Sequence, residues 1–263
     1  MSSASVGFHC PDCVRSSGQR VHTMSDVLRG TRPIVTEVLV ATNVGVFVLS
    51  VLVGGGSLGR GRGGDLVAEG GVHTAAVAGG EWYRLVTAGF LHRGVLHLVL
   101  NMLLLYALGR MLEPAIGSGR FALLYGTALL AASFGIEVLD PQNAAVVGAS
   151  GAVYGLMGAA IVAQRVEGID PWQSGIAVLV AANLLVGFLV PGISIGGHVG
   201  GILGGALAAW LLLGLPRRTG SAAMGVAACA AFAVVAAAGA VLIARAAYPE
   251  LAFVVPHVLA LPA

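Results

Sequence analysis

Four side chains in this sequence are of types that could act together on a carbonyl group. Ser150 sits in Gly148-Ala149-Ser150-Gly151, His198 in Gly196-Gly197-His198-Val199-Gly200-Gly201, and His97 and Asn101 lie four residues apart in a third segment. A serine hydroxyl is a weak nucleophile until a base removes its proton, and histidine is the usual base because its pKa lies near neutrality. In the first turn of a helix, Ser150 would also meet free N–H groups and the positive end of the helix dipole, which favour a developing oxyanion. His97 and Asn101 could add side-chain donors. Each residue also has a plainer reading. His97 and Asn101 share one helix face, where a polar pair inside a membrane serves as an interhelical hydrogen bond, and serine beside glycine is common in close-packed helix seams.

Whether these groups can meet depends on the elements that carry them. Tyr154 shares a face with Ser150, and Gly151 and Gly155 form a small-xxx-small pair on the same segment. On the His198 segment, glycines recur at Gly197, Gly201 and Gly205. Two such smooth faces let helix backbones approach closely, which is what a hydrogen bond between a serine and an imidazole on separate helices requires.

Composition decides what those elements are. Of 263 residues, 57% are hydrophobic and 10% charged, with a mean hydropathy of +0.91, whereas soluble domains carry about 25% charge. A large soluble domain is excluded. The apolar runs at about 34–53, 95–112, 121–139, 148–164, 174–190, 193–213 and 222–244 make seven candidate spans, separated by Glu113-Pro114, Asp140-Pro141, Asp170-Pro171, Pro191-Gly192 and Pro216-Arg217-Arg218. Spans of this kind must be helical, since irregular backbone facing lipid leaves N–H and C=O groups without partners. The fold class is therefore all-α, a polytopic transmembrane bundle. A long polar loop from 54 to about 90 joins the first two spans, and loops of that length are usually functional or disordered; gating of entry by residues 54–80 stays open. All 14 basic residues are arginine and the net charge is +2, so there is no basic face for nucleic acid. Cys10, Cys13 and Cys229 do not suit a disulfide framework, and the first thirty residues hold no apolar signal-peptide core.

Arginine counts set the orientation. Nine lie in the N-terminal tail and in the loops after spans 2, 4 and 6, against five on the other side. By the positive-inside rule the N-terminus is cytoplasmic. Spans 2, 4 and 6 then all enter from the outer face, which puts His97, Asn101, Ser150 and His198 at one depth near that face. No Asp or Glu lies in the outer third of spans 4 and 6, so a dyad is expected where a full triad is absent.

These residues resemble the rhomboid intramembrane serine proteases over about residues 34 to 215. The family's Gly-x-Ser-Gly motif is similar to Gly148-Ala149-Ser150-Gly151 with Tyr154 following. Its His-x-x-Gly-x-x-x-Gly motif matches His198, Gly201 and Gly205, its His-x-x-x-Asn pattern His97 and Asn101, and its Trp-x-Arg signature Trp82-Tyr83-Arg84. The resemblance implies that Ser150 is the nucleophile, His198 the general base, His97 and Asn101 oxyanion donors, and Tyr154 the ring packed against His198. It places Gly148 beside the oxyanion site and gives Trp82, Arg84, Glu113 (with Ser118), Gly151, Gly155, Gly201 and Gly205 structural roles.

The resemblance implies a six-helix core over 34–215, preceded by a cytoplasmic tail at 1–33 and followed by a seventh span and an outer tail at 216–263. The expected activity is serine endopeptidase cleavage of other proteins' transmembrane segments near the outer face of the plasma membrane, in a multi-pass protein with no cofactor. The partners are transmembrane substrates and the lipid bilayer; substrate identity and oligomeric state are not legible. The competing reading is a non-catalytic membrane-protein binder or chaperone on the same bundle. A transporter is disfavoured, because no span carries a mid-membrane carboxylate and no inverted repeat is apparent. His9-Cys10-Pro11-Asp12-Cys13 resembles part of a zinc ribbon whose earlier cysteines would lie upstream, but Cys10 and Cys13 with His9 or His22 are a poor set for a four-ligand site, so no metal is expected.

Overall fold

The apolar runs fold as helices that expose large apolar side chains such as Leu52, Leu96 and Val234 on their outer sides, while the interior is an apolar core that also takes in Asn43, Asn101, Glu113 and His198. The computed structural model describes residues 2–3, 8–9, 32–53, 64–140, 145–189 and 192–251. Residues 1–32 form one unit, in which Ser2–Ser3 (β1) and Phe8–His9 (β2) pair antiparallel. Cys10 and Cys13 lie outside the described residues.

Residues 33–263 form the second unit. Its helices are α1 (Ile34–Leu52), α2 (Gly64–Gly70), α3 (Thr74–Ala78), α4 (Arg84–Thr87), α5 (Val95–Ile116), α6 (Ser118–Leu139), α7 (Ser150–Val166), α8 (Ile176–Leu189), α9 (Ile195–Ala209), α10 (Leu215–Thr219) and α11 (Ala222–Ala247). Among the described residues five helices are long and apolar enough to cross a membrane: α1, α5, α6, α11 and the continuous helix Ile195–Thr219 that contains α9 and α10. Each of the other two expected spans, the fourth and fifth, also appears as a helix, but α7 has 17 residues and α8 has 14. The shortness of α7 goes with its place in the bundle, since Gly151 through Ala160 are buried without a break and have no lipid-facing side to furnish with large apolar groups.

Two expected boundaries differ. The second span was expected to end before Glu113-Pro114, yet α5 runs through Pro114 to Ile116. A proline there removes one N–H close to the helix end, and Gly117, at φ +86°, then makes the turn into α6. The sixth span was expected to stop near 213, but the chain continues helically to Thr219 through a π-helical turn at Trp210–Gly214. That widened turn precedes Pro216, whose ring would collide with the carbonyl four residues back in a regular helix. Gly220, at φ +72°, ends it.

Small residues make the tightest seams. Helix α11 buries Gly225, Cys229, Ala233, Ala236, Ala240 and Ala244 along one stripe. Helix α6 buries Ala128, Ala131, Ala132 and Gly135. The loop read as one long polar connection has its own order over residues 64–90, where α2, α3, α4 and a 3₁₀ turn at Ala88–Phe90 surround the buried Arg84.

Candidate active site

Ser150 opens α7, and no side chain caps that helix start, so the first-turn N–H groups are not taken up by a cap. Its Oγ lies 3.1 Å from Nε2 of His198, in the first turn of α9. With the imidazole proton on Nδ1, the serine hydroxyl donates to Nε2. One turn along α7, the Tyr154 ring stacks on the His198 ring with centroids 3.8 Å apart and planes 12° from parallel. The Tyr154 hydroxyl donates to the Asn183 carbonyl of α8 at 2.7 Å, which fixes the ring that supports the imidazole. A methyl placed on Gly187 of α8 would lie 3.1 Å from Nδ1 and 3.7 Å from the Tyr154 hydroxyl, so α8 also comes close to the imidazole.

Glycines bring the two helices this close. A side chain at Gly201 would strike the Gly151 carbonyl, one at Gly205 the Gly155 carbonyl, and one at Gly158 the Ile202 carbonyl. The contact between α7 and α9 is thus backbone against backbone. A second seam, not foreseen in the sequence, joins α9 to α6: a Cβ at Gly135 would strike the Gly196 carbonyl, and one at Gly200 would lie 2.6 Å from the Ala131 carbonyl. The signal available for it was the pair of small residues four apart on α6, Ala131 with Gly135; the neighbouring pair Ala128 and Ala132 lies instead against Gly155 and Gly151 of α7.

His97 lies against the segment leading into Ser150. Gly148 has φ +133°, and a Cβ there would sit 2.7 Å from His97 Cε1, 2.8 Å from His97 Nε2 and 3.6 Å from Ser150 Oγ. Glycine is required at this position both by conformation and by space. Asn101 is buried, and its Nδ2 donates to the His97 carbonyl at 2.8 Å, so one of its two amide hydrogens is committed within α5. His92 is buried and packs edge-on against His97, with centroids 5.0 Å apart.

The Trp82-Tyr83-Arg84 stretch acts on the same segment from a distance. Arg84 donates to the carbonyls of Ala68 at 2.7 Å and Gly71 at 3.1 Å and pairs with Glu81 at 2.6 Å. This closes the loop so that Val72 and Val146 exchange backbone hydrogen bonds of 2.9 and 2.8 Å, while Gly148 N–H donates to Ala88. The strand-like lead-in to Ser150 therefore hangs on the loop that Arg84 organises. Burial raises the pKa of the Glu81 carboxyl, but hydrogen bonds from Tyr83 and Arg84 and the nearby guanidinium outweigh it, leaving the carboxyl below its ordinary value. Trp82 is exposed, with the Arg245 guanidinium 5.7 Å from its ring centre.

At the other end of α5, Glu113 is buried and accepts four hydrogen bonds: from the N–H groups of Val35 (2.9 Å) and Thr36 (2.8 Å), the Thr36 hydroxyl (2.7 Å) and the Ser118 hydroxyl (2.6 Å). It ties the starts of α1 and α6 to α5. Thr36 escaped the sequence reading. Among the described residues, no group of three or more His, Cys, Asp and Glu side chains is placed to hold a metal ion.

Comparison with known proteins bears on this arrangement as a whole. The profile of the Rhomboid domain matches residues 79–215, more than half the chain and the stretch that carries both Ser150 and His198. The chain is similar to rhomboid protease GluP of Bacillus subtilis (strain 168), at 35% identity over 74% of this chain and 38% of that protein. It is also similar to RHOMBOID-like protein 6, mitochondrial, of Arabidopsis thaliana (36%, over 54% of this chain and 47% of that protein) and to Rhomboid-related protein 3 of Homo sapiens (40%, over 29% and 19%). The chain thus spans less than two thirds of the length of these relatives. With the domain match covering the glycine seams and the serine and imidazole that they bring together, this multi-pass membrane protein belongs to the rhomboid family.

Proposed function

We propose that this chain is an intramembrane serine endopeptidase that cleaves other membrane proteins in or near their transmembrane segments. The observation that carries the reading is the 3.1 Å approach of Ser150 Oγ to His198 Nε2 across two separate helices. In the proposed reaction, His198 Nε2 takes the Ser150 proton as Oγ attacks the scissile carbonyl carbon. The resulting oxyanion is met by the first-turn N–H groups of α7 and by His97, with the second amide hydrogen of Asn101 as a further donor. His198 then gives its proton to the leaving amine, and water hydrolyses the acyl-enzyme with His198 again as base. The substrate helix must unwind locally, because a helical backbone has its carbonyls occupied; small and helix-breaking residues are expected at its cleavage site.

The reading includes a catalytic core at residues 34–215, a cytoplasmic tail at 1–33, and a seventh span with an outer tail at 216–263. It also includes a plasma-membrane location, and the arginine asymmetry supports an orientation with Ser150 near the outer face. The test is a fluorophosphonate probe together with a model transmembrane substrate. Wild type should be labelled and should cleave, and Ser150→Ala and His198→Ala should do neither while keeping the wild-type unfolding midpoint. Cleavage by either variant at the wild-type rate would refute the dyad.

A further inference from the structure

We propose that Asp140 is a positioning residue for His198, holding the start of α9 from the end of α6 and taking the place of the third member that the serine–histidine pair lacks. This rests on the protease reading above. Asp140 directly follows the last residue of α6. Its Oδ2 accepts from the Ser194 hydroxyl at 2.6 Å and from the Gly196 N–H at 2.7 Å. Ser194 is the N-cap of α9, and its Oγ in turn accepts from the Gly197 N–H at 2.9 Å. The His198 N–H donates to the Ser194 carbonyl at 3.3 Å.

The first-turn N–H groups of a helix have no partner within it. Here two of them are served by one carboxylate, at Gly196 directly and at Gly197 through the Ser194 hydroxyl. Such charge-assisted bonds are roughly twice as strong as neutral ones. The glycine seams press α9 laterally against α6 and α7 and block its rotation, but smooth faces oppose sliding along the helix axis weakly. Asp140 supplies the missing stop, anchored two residues before His198. It also puts negative charge at a helix end that is otherwise positive, the end at which an imidazolium forms when His198 takes the Ser150 proton.

The test uses the full-length protein in proteoliposomes with a fluorogenic transmembrane substrate, comparing wild type with Asp140→Ala, Asp140→Asn and Ser194→Ala. In Asp140→Ala, kcat should fall by about ten- to a hundredfold, in line with a misplacement of up to about 1 Å, while KM stays within about twofold, since binding is not what is lost. Fluorophosphonate labelling of Ser150 should slow in parallel. Asp140→Asn retains an oxygen for the Gly196 N–H and should recover most of kcat; Ser194→Ala should lose less than Asp140→Ala. The proposal is overturned if Asp140→Ala turns over at the wild-type rate, or if its loss follows a lowered unfolding midpoint and Asp140→Asn does not recover it. A wild type that is neither labelled nor active would instead refute the protease reading; a labelled wild type with an equally fast Asp140→Ala refutes only the positioning role.

Discussion

Replacing Gly201 with alanine asks whether direct backbone contact sets the distance between Ser150 and His198, the proposed nucleophile and base. The added methyl would fall 2.9 Å from the carbonyl carbon and 3.4 Å from the Cα of Gly151, and closer still to the Gly151 oxygen. Ordinary contact begins near 3.4 Å, so α7 and α9 must part or rotate by at least about half an ångström, and by more to clear the oxygen. Gly201 lies one turn after His198 and Gly151 directly follows Ser150, so the movement is passed to the 3.1 Å pair. Overpacking of this kind costs about 1–3 kcal/mol, and a catalytic displacement of about 1 Å costs about 100-fold. We expect Gly201→Ala to lose about ten- to a hundredfold in kcat together with a lower unfolding midpoint, and Gly201→Val to lose more of both. The control is Gly126→Ala on α6, where an added methyl meets nothing within 4 Å; turnover should not change, and stability should hold or rise by about 0.5–1 kcal/mol. Wild-type turnover and midpoint in Gly201→Ala would refute the claim that this seam sets the dyad distance.

Gly148→Ala should cut turnover and cost about 1–3 kcal/mol, because its φ of +133° and the His97 ring both exclude a Cβ; a fully active variant would show that His97 can move aside freely. Glu113→Ala leaves four donors at the starts of α1 and α6 without their acceptor, and at about 1–3 kcal/mol for each buried unsatisfied group it should lower the unfolding midpoint sharply; an unchanged midpoint would mean that this network is not holding the bundle. The depressed Glu81 carboxyl stabilises the folded loop above the unfolded carboxylate pKa of about 4.3, and this contribution is lost as pH falls through the lower folded value. The midpoint difference between wild type and Glu81→Gln should accordingly be present at neutral pH and vanish on acidification, and a constant difference would contradict it.

The helices that carry the site were legible because each is a long apolar run, and their mutual contact because glycines recur every fourth residue. What the sequence concealed was partnership at a distance. Asp140 beside Pro141 reads as a turn, and nothing local connects it to Ser194, 54 residues later. Ala131 and Gly135 read as ordinary apolar filling until α9 is laid against them, and Ala128 and Ala132 until α7 is. The elements at 64–90 are too short for a periodic pattern to show, and their order comes from backbone carbonyls converging on one guanidinium. Pro114 and Pro216 were read as stops, although a proline near a helix end or beside a π turn displaces little.

Helix α9 shows how Ser150 and His198, on different helices, can be held in register within lipid, where apolar burial gives helices little reason to associate. Its glycines form two rows. Gly196, Gly200 and Gly204 face α6, and Gly201 and Gly205 face α7. The rows are offset by one residue, about 100° around the helix, so α9 is clamped between two backbones that meet it at close range from different directions. A helix held on one side can roll; one held on two cannot roll without driving a carbonyl into a neighbour. His198 projects from this clamped segment, and its ring is stacked on Tyr154 and closely approached near Nδ1 by Gly187. The ordering of the imidazole is thus completed when the bundle folds, and in the proposed dyad such preorganisation lessens the reorganisation needed in the transition state.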